Sequence, residues 1–300
     1  MSSNDTVTSF TISTLQFLSQ HVIIHLPIIL IVFGNIGCLC NYITFLQRPL
    51  RSNTCSLYSL SGSTADFLVL NGNLLQTYLG SVFQLGINYF AGTRFLCKFY
   101  LYLLVVLPQL STTFLLLSLI DRYACSCPLQ SKIRKINQFQ YARYLVVVGI
   151  LYSMIVSAHA PILYDITYGF CFVTQSLLNS ILYIIFSGLL EPFLMLIMFF
   201  KTYKNVLQSR QRIGVQTSLP SSSTTNRLNR INNQFIMMVL LQVAVTTLLS
   251  LQWIIFYTYS TATIYVPRSV ERQTIEGFVY TLTNTIYYIN NTNSVSLLLY

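Results

Sequence analysis

Apolar runs of roughly twenty residues alternate with short polar segments along the whole chain. Seven such runs cover residues 22–46, 55–79, 95–120, 142–164, 177–200, 234–259 and 275–300. A helix of about 20 mainly apolar residues crosses the hydrocarbon core of a bilayer. The pattern therefore predicts an all-α membrane protein, a bundle of seven transmembrane helices. Its second and seventh members are the most diluted by Ser, Thr and Asn. Residues 1–21 are polar and Thr/Ser-rich, without the basic start of a cleavable leader. They read as a tail, and the run after them as an anchoring first span. Residues 22–300 then form the helical domain, with Tyr300 at the inner end of the seventh span. No repeat of fixed period occurs and the two halves differ, which argues against a transporter built by internal duplication.

Composition strengthens this picture. Charged residues make up 8% of the 300 and hydrophobic ones 54%, with a mean hydropathy of +0.61. A soluble domain carries about 25% charged residues, so lipid must be the main solvent here. The basic residues also give a direction. With the N-terminus outside, 13 Lys and Arg fall on inner segments and 4 on outer ones, the bias expected of cytoplasmic loops. The net charge of +10 is then mostly an inner collar, suited to anionic lipid or an acidic partner surface. Nucleic acid binding is not needed to explain it. A polar segment, Gln208 to Asn229, reads as a flexible part of an inner loop spanning about 201–233.

Few residues can carry chemistry. Asp121-Arg122-Tyr123 stands where the third run would leave the bilayer, and charges beside hydrocarbon are costly and usually functional. Asp66 is a lone acid deep in the second run, needing a proton, a cation or hydrogen-bond donors. Glu191 precedes Pro192 in the fifth run and either faces the bundle interior or lines a helix contact. His159 reads as an interfacial histidine. Asn4-Asp5-Thr6 is a glycosylation acceptor on the tail, whereas Asn290-Asn291-Thr292 falls within a span. Cys125 and Cys127, at the membrane edge, are reduced thiols or palmitoylation acceptors. No Cys/His spacing resembles a metal site, and no catalytic pair appears in the runs, so no enzyme activity is expected.

Together these features resemble the rhodopsin-like (class A) family of G-protein-coupled receptors. Gly34-Asn35 is similar to the family's first-span pair, and Ala65-Asp66 to its buried Ala-Asp. Cys97 lies 25 residues before Arg122, the family's spacing from outer disulfide to switch arginine. Cys171, Pro128-Leu129 and Pro192 also fall at family positions. The resemblance covers about 22–300 and has departures. The fourth run lacks the family's tryptophan, although Pro161 keeps its late proline. Trp253 is present, but Gln252 stands where relatives often carry proline. The chain ends Ser296-Leu297-Leu298-Leu299-Tyr300 in place of Asn-Pro-x-x-Tyr. These losses resemble divergent invertebrate receptors of the FMRFamide-like neuropeptide group.

The resemblance implies roles. A Cys97–Cys171 bridge ties the third helix to the loop over the pocket. Asp121 and Arg122 form an ion pair that holds the helix ends closed, with Tyr123 and Tyr300 part of the G-protein switch. Asn35, Asp66 and Ser111 surround a sodium ion or form a purely hydrogen-bonded polar core, completed from the seventh span by Asn293, Ser294 or Ser296, and no other cofactor is implied. Leu104, seven residues after Cys97, replaces the acid that amine receptors use, which argues against a biogenic amine. The seventh run has no lysine for retinal. The outer half is aromatic: Tyr100, Gln109, Tyr183, Trp253, Phe256, Tyr257 and Tyr280 form a candidate pocket, with Tyr78, Phe83, Tyr102 and Tyr164 nearby. Such residues suit a peptide and also interfacial anchoring. Asp165, Glu271 and Glu276 could attract a basic peptide. The expected activity is that of a plasma-membrane receptor for an extracellular ligand, foremost a neuropeptide, that activates a heterotrimeric G-protein. A seven-span transporter or channel, or a receptor that no longer signals, is the alternative.

Overall fold

The computed structural model describes residues 12–19, 21, 23–47, 53–83, 93–127, 133–134, 138–167, 170–215 and 223–292. Their helices group into seven rods. The first, α1 (Leu26–Phe45), follows a 3-10 turn at Ile23–His25. The second, α2, runs Thr54–Leu68, widens into a π-helical stretch at Val69–Leu74 and resumes as Leu75–Val82. The third, α3, is unbroken over Arg94–Ser126. The fourth, α4, spans Phe139–Val156 and continues, after a turn, as His159–Leu163. The fifth, α5, starts at Ser176–Tyr183, becomes π-helical at Ile184–Leu190 and continues as Glu191–Val215. The last two are α6 (Ser223–Ala262) and α7 (Val270–Tyr288). Asn53, Thr93 and Ser269 cap α2, α3 and α7 by accepting a first-turn backbone N–H, which satisfies donors a helix start leaves unpaired.

Five helices are long and apolar enough to cross a membrane: Ile12–Phe45, Arg94–Ser126, Phe139–Leu163, Ser176–Leu207 and Val239–Ala262. Large apolar side chains such as Phe33, Phe95, Ile155 and Ile255 point outward from them, as lipid-facing surfaces do. This is a helical membrane protein. The two rods outside that set are α2 and α7, which carry the two most polar apolar runs.

Local chemistry explains the irregular turns. Pro192 has no N–H to return to the preceding turn, and the wide π turn just before it relieves the strain. Pro108, inside α3, deprives the Leu104 carbonyl of its helical donor. Asn73, in the π stretch of α2 and 1% exposed, donates its Nδ2–H to that carbonyl at 3.2 Å. In a bilayer a freed backbone group needs such a substitute.

Helix α3 packs against α2, α4, α5 and α6. Leu119, Met195, Val206, Val239, Leu240 and Val243 form one apolar core between α3, α5 and α6. A second core joins α1, α2 and α7 through Ile31, Cys38, Val69, Leu70, Leu74 and Tyr288.

The all-α class holds, with one small addition: Tyr164–Thr167 (β1) pairs antiparallel with Phe170–Val173 (β2), with Ile166 opposite Cys171. Two expectations change. Residues 12–19, read as tail, are helical. So are 208–215 and 223–229, most of the segment read as flexible loop; its Gln, Arg and Leu are good helix formers, so polarity alone did not forbid helix.

Candidate functional site

The sulfur atoms of Cys97 and Cys171 are bonded, with Cα atoms 5.9 Å apart. The bridge fixes the β1–β2 hairpin to the first turn of α3. Arg94, three residues earlier, reinforces it: its Nε donates to Asp165 Oδ1 at 2.7 Å and its Nη2 to Oδ2. That guanidinium holds the Asp165 carboxyl below the usual aspartate value, aided by the Ile166 N–H. Tyr100, Tyr164 and Ile166 pack around the bridge. Cys38, Cys40, Cys55, Cys125 and Cys127 form no disulfide.

Beneath this roof lies a cavity of about 560 Å³, within the size range of small-ligand sites. Tyr100, Leu104, Gln109, Tyr183, Trp253, Tyr257 and Tyr280 line it, as do Tyr164 and His159. Phe256 does not; it packs between Tyr259 and Tyr280 instead. Tyr102 donates to the Met154 carbonyl on α4, and Tyr78 lies against His25. Phe83 is exposed. Trp253 is the hub of the aromatic wall: its Nε1–H donates to the Tyr183 hydroxyl at 3.1 Å, and its ring contacts Tyr257, Tyr280 and Tyr287. His159 Nδ1 is spent on the Val156 carbonyl.

Glu191, on α5, also belongs to the cavity. It both lines the cavity and bonds across to α3, accepting from Thr112 Oγ1 at 2.5 Å and Thr113 Oγ1 at 2.9 Å. Of the three acids read as attracting a basic peptide, two are already engaged. Asp165 is held by Arg94, and Glu276 by Arg268, Arg272 and the Tyr259 hydroxyl.

The polar core differs from expectation in one partner. Ser111 donates to Asp66. Asn35, however, exchanges reciprocal amide hydrogen bonds with Asn71, at 2.8 and 3.1 Å. Asp66, Ser111, Asn290 and Asn291 border a small cavity of about 40 Å³. Asn290 Oδ1 is buried there and has no hydrogen-bond partner. A carboxylate, a hydroxyl and an amide oxygen are the donor types a sodium ion takes. Among the described residues, no group of His, Cys, Asp and Glu could hold a metal. Ser296 and Tyr300, with Asn293, Ser294 and the Asn4 acceptor, lie outside the described residues.

At the other end of α3, Asp121 and Arg122 are 1% and 3% exposed. Their hydrogen bonds reach α2, and the two charges also act on each other, without the direct contact of a salt bridge. Thr54 Oγ1 donates to Asp121 Oδ1 at 2.8 Å, while Arg122 Nε donates to Cys55 Sγ at 3.0 Å. Asp121 Oδ2 is buried without a hydrogen-bond partner. Adjacent residues on a helix point about 100° apart, so a neighbouring helix meets them more readily than they meet each other. Tyr123 is half-buried. Asn205 on α5 bonds Ser126 just beyond the triplet.

Gln252 donates its Nε2–H to the Thr283 carbonyl on α7 at 3.2 Å. In that position it joins two helices where the resembled family often has proline. The sequence did not single out Asn71, Asn73, Thr54 or Cys55, because their partners lie on other helices and periodicity carries no such information. No protein-family model matches this chain, and no curated protein matches it.

Proposed function

We propose that this protein is a cell-surface receptor that binds an extracellular ligand, foremost a neuropeptide, and activates a heterotrimeric G-protein. In this reading all seven rods span the plasma membrane and the N-terminus is outside. One observation carries it. A single helix, α3, bears the disulfide-tethered hairpin at one end, the aromatic cavity along its middle, and buried Asp121-Arg122 at its other end. A ligand pressing on the cavity wall can thereby bias contacts at the far end of the same rod.

The chain's own residues supply the steps. The hairpin roofs the cavity, and the aromatic wall around Trp253 offers surface and scattered hydrogen bonds to a peptide side chain. Asp66 and Ser111, with Asn290 Oδ1, would hold a sodium ion, whose charge would favour the ionised Asp66. Movement of α3 relative to α2 would break the Thr54–Asp121 and Cys55–Arg122 contacts and release the guanidinium to a G-protein surface. The basic collar holds the receptor against anionic lipid.

The test is expression of the full-length chain in cells carrying a G-protein reporter, with an N-terminal epitope read on intact cells. The epitope should be accessible, and one class of neuropeptide should elicit a response that Arg122→Ala abolishes at equal surface density. Surface-expressed protein that answers no peptide, or an epitope reached only after permeabilisation, would overturn the reading.

A further inference from the structure

The cavity contains an acid that forms no salt bridge among the described residues. Glu191 is 2% exposed, and the described lining holds no lysine, arginine or second carboxylate; its one histidine, His159, bonds the Val156 carbonyl through Nδ1. The acid's hydrogen bonds come from two threonine hydroxyls, which fill two of about four acceptor directions on a carboxylate. Even these are shared. Each hydroxyl has one hydrogen, and each also lies within reach of the Gln109 carbonyl, at 3.0 Å for Thr112 and 2.8 Å for Thr113. The carboxylate is therefore short of donors. Ser153 brings a further hydroxyl to Thr113 from α4 at 3.1 Å, but not to the acid.

A second observation comes from Gln109, one turn before the threonines and 3% exposed. Its Oε1 accepts from Ser187 at 2.7 Å, while its Nε2 is buried with no hydrogen-bond partner. It lines the same cavity. A buried donor left unmade costs about 1–3 kcal/mol. The cavity thus presents an under-supplied acceptor on α5 and an unused donor on α3, on helices joined by the Thr112, Thr113 and Ser187 hydrogen bonds. The rings of Tyr183, Trp253 and Tyr287 stand in the same wall, faces that attract cations.

We infer that Glu191 and Gln109 form a subsite for a donor-rich organic cation, an ammonium or guanidinium, that carries an oxygen acceptor beside it. The cation takes the open directions of the Glu191 carboxylate, and the ligand's oxygen accepts from Gln109 Nε2. A basic residue within a peptide supplies both groups. A ligand that enters carboxylate-first is excluded. The subsite specifies the ligand class of the receptor reading and rests on it for the use of the cavity.

The probes are 2-phenylethylguanidinium, the neutral isostere 2-phenylethylurea and anionic 3-phenylpropionate, titrated onto the purified full-length chain in detergent. Wild type should bind the guanidinium about tenfold or more tighter than the urea, and the propionate not at all. In Glu191→Gln the preference should vanish while urea binding persists. In Gln109→Ala it should remain and widen, because the urea, whose oxygen accepts from Gln109 Nε2, weakens while the guanidinium, which has no acceptor, does not. Hydrogen exchange should place the guanidinium's protection on the α5 peptide containing Glu191, a measurement that decides even if Glu191→Gln does not fold. Equal affinity for guanidinium and urea, an unchanged preference in Glu191→Gln, or protection elsewhere would overturn the subsite. Binding to purified protein needs no G-protein. A guanidinium preference with no cellular response would defeat the receptor reading alone, and a peptide response with no preference would defeat the subsite alone.

Discussion

Asn73 on α2 donates to the Leu104 carbonyl of α3, 3.2 Å away, at the position where Pro108 withholds the helix's own donor. A proline in one helix is matched by an amide from another, and neither has an evident purpose alone. Asn73→Leu should leave the carbonyl unpaired in an apolar setting, a loss of about 1–3 kcal/mol. Thermal unfolding in detergent reads the loss. Adding Pro108→Ala restores the helical N–H, so the double variant should recover most of it. Equal destabilisation with and without Pro108 would show that Asn73 acts through packing instead.

A close approach of α5 to α6 rests on Gly188. A Cβ built there would meet Ile254 Cδ1 at 2.5 Å and Cγ1 at 3.2 Å. Gly188→Val should cost about 1–3 kcal/mol by overpacking, and Ile254→Ala in the same chain should return part of it. Additive losses in the double variant would mean that the two residues do not share the space.

The hairpin's second tether should be insensitive to pH over the physiological range. The Asp165 carboxyl is lowered by Arg94, so its attachment is at full strength above the ordinary aspartate value of about 3.9 and fades as pH falls through the lower folded value. The Ile166 amide, which donates to Asp165 Oδ1 at 2.9 Å, reports this by NMR. Arg94→Ala should move the midpoint up toward about 3.9. An unmoved midpoint would show that the guanidinium is not the cause.

At the opposite end of α3, Thr54→Val should leave both Asp121 oxygens without a hydroxyl donor and loosen the α2–α3 contact. On the receptor reading, basal G-protein activity should rise severalfold at equal surface density, as it should for Asp121→Asn. Cys55→Ala, which removes the sulfur facing Arg122, should act in the same direction but more weakly. Basal activity unchanged in all three would separate these contacts from signalling.

How much of this was legible in the chain depends on the kind of signal. Hydropathy located the five apolar spans, since each is long enough to register by itself. The rods α2 and α7 were harder, because their Ser, Thr and Asn lower the average without preventing a helix. The Cys97–Cys171 pairing and the Ser111–Asp66 contact were accessible from family spacing. Asn35 was not: the π stretch at Val69–Leu74 widens the helix and turns its later residues away from their regular α-helical directions. Asn71, within that stretch, meets Asn35, a shift that a 3.6-residue period cannot anticipate. The α2 partners of Asp121 and Arg122 escaped notice for a related reason, since sequence neighbours diverge around a helix and meet different surroundings. For Glu191 the two readings, facing the interior and lining a helix contact, were not exclusive, because its carboxylate does both.

The absence of proline from α6 has a mechanical consequence. The helix runs through Ser223–Ala262 without proline or glycine, and Gln252 pins it to α7 beside Trp253. Such a rod has no proline or glycine hinge, and a displacement at one end would move it as a lever. From Trp253 to Ser223 it is about 45 Å long at 1.5 Å per residue, and a tilt of about 5° at the aromatic wall sweeps the far end through about 4 Å. Leverage, in place of bending, would carry small displacements in the cavity across the bilayer.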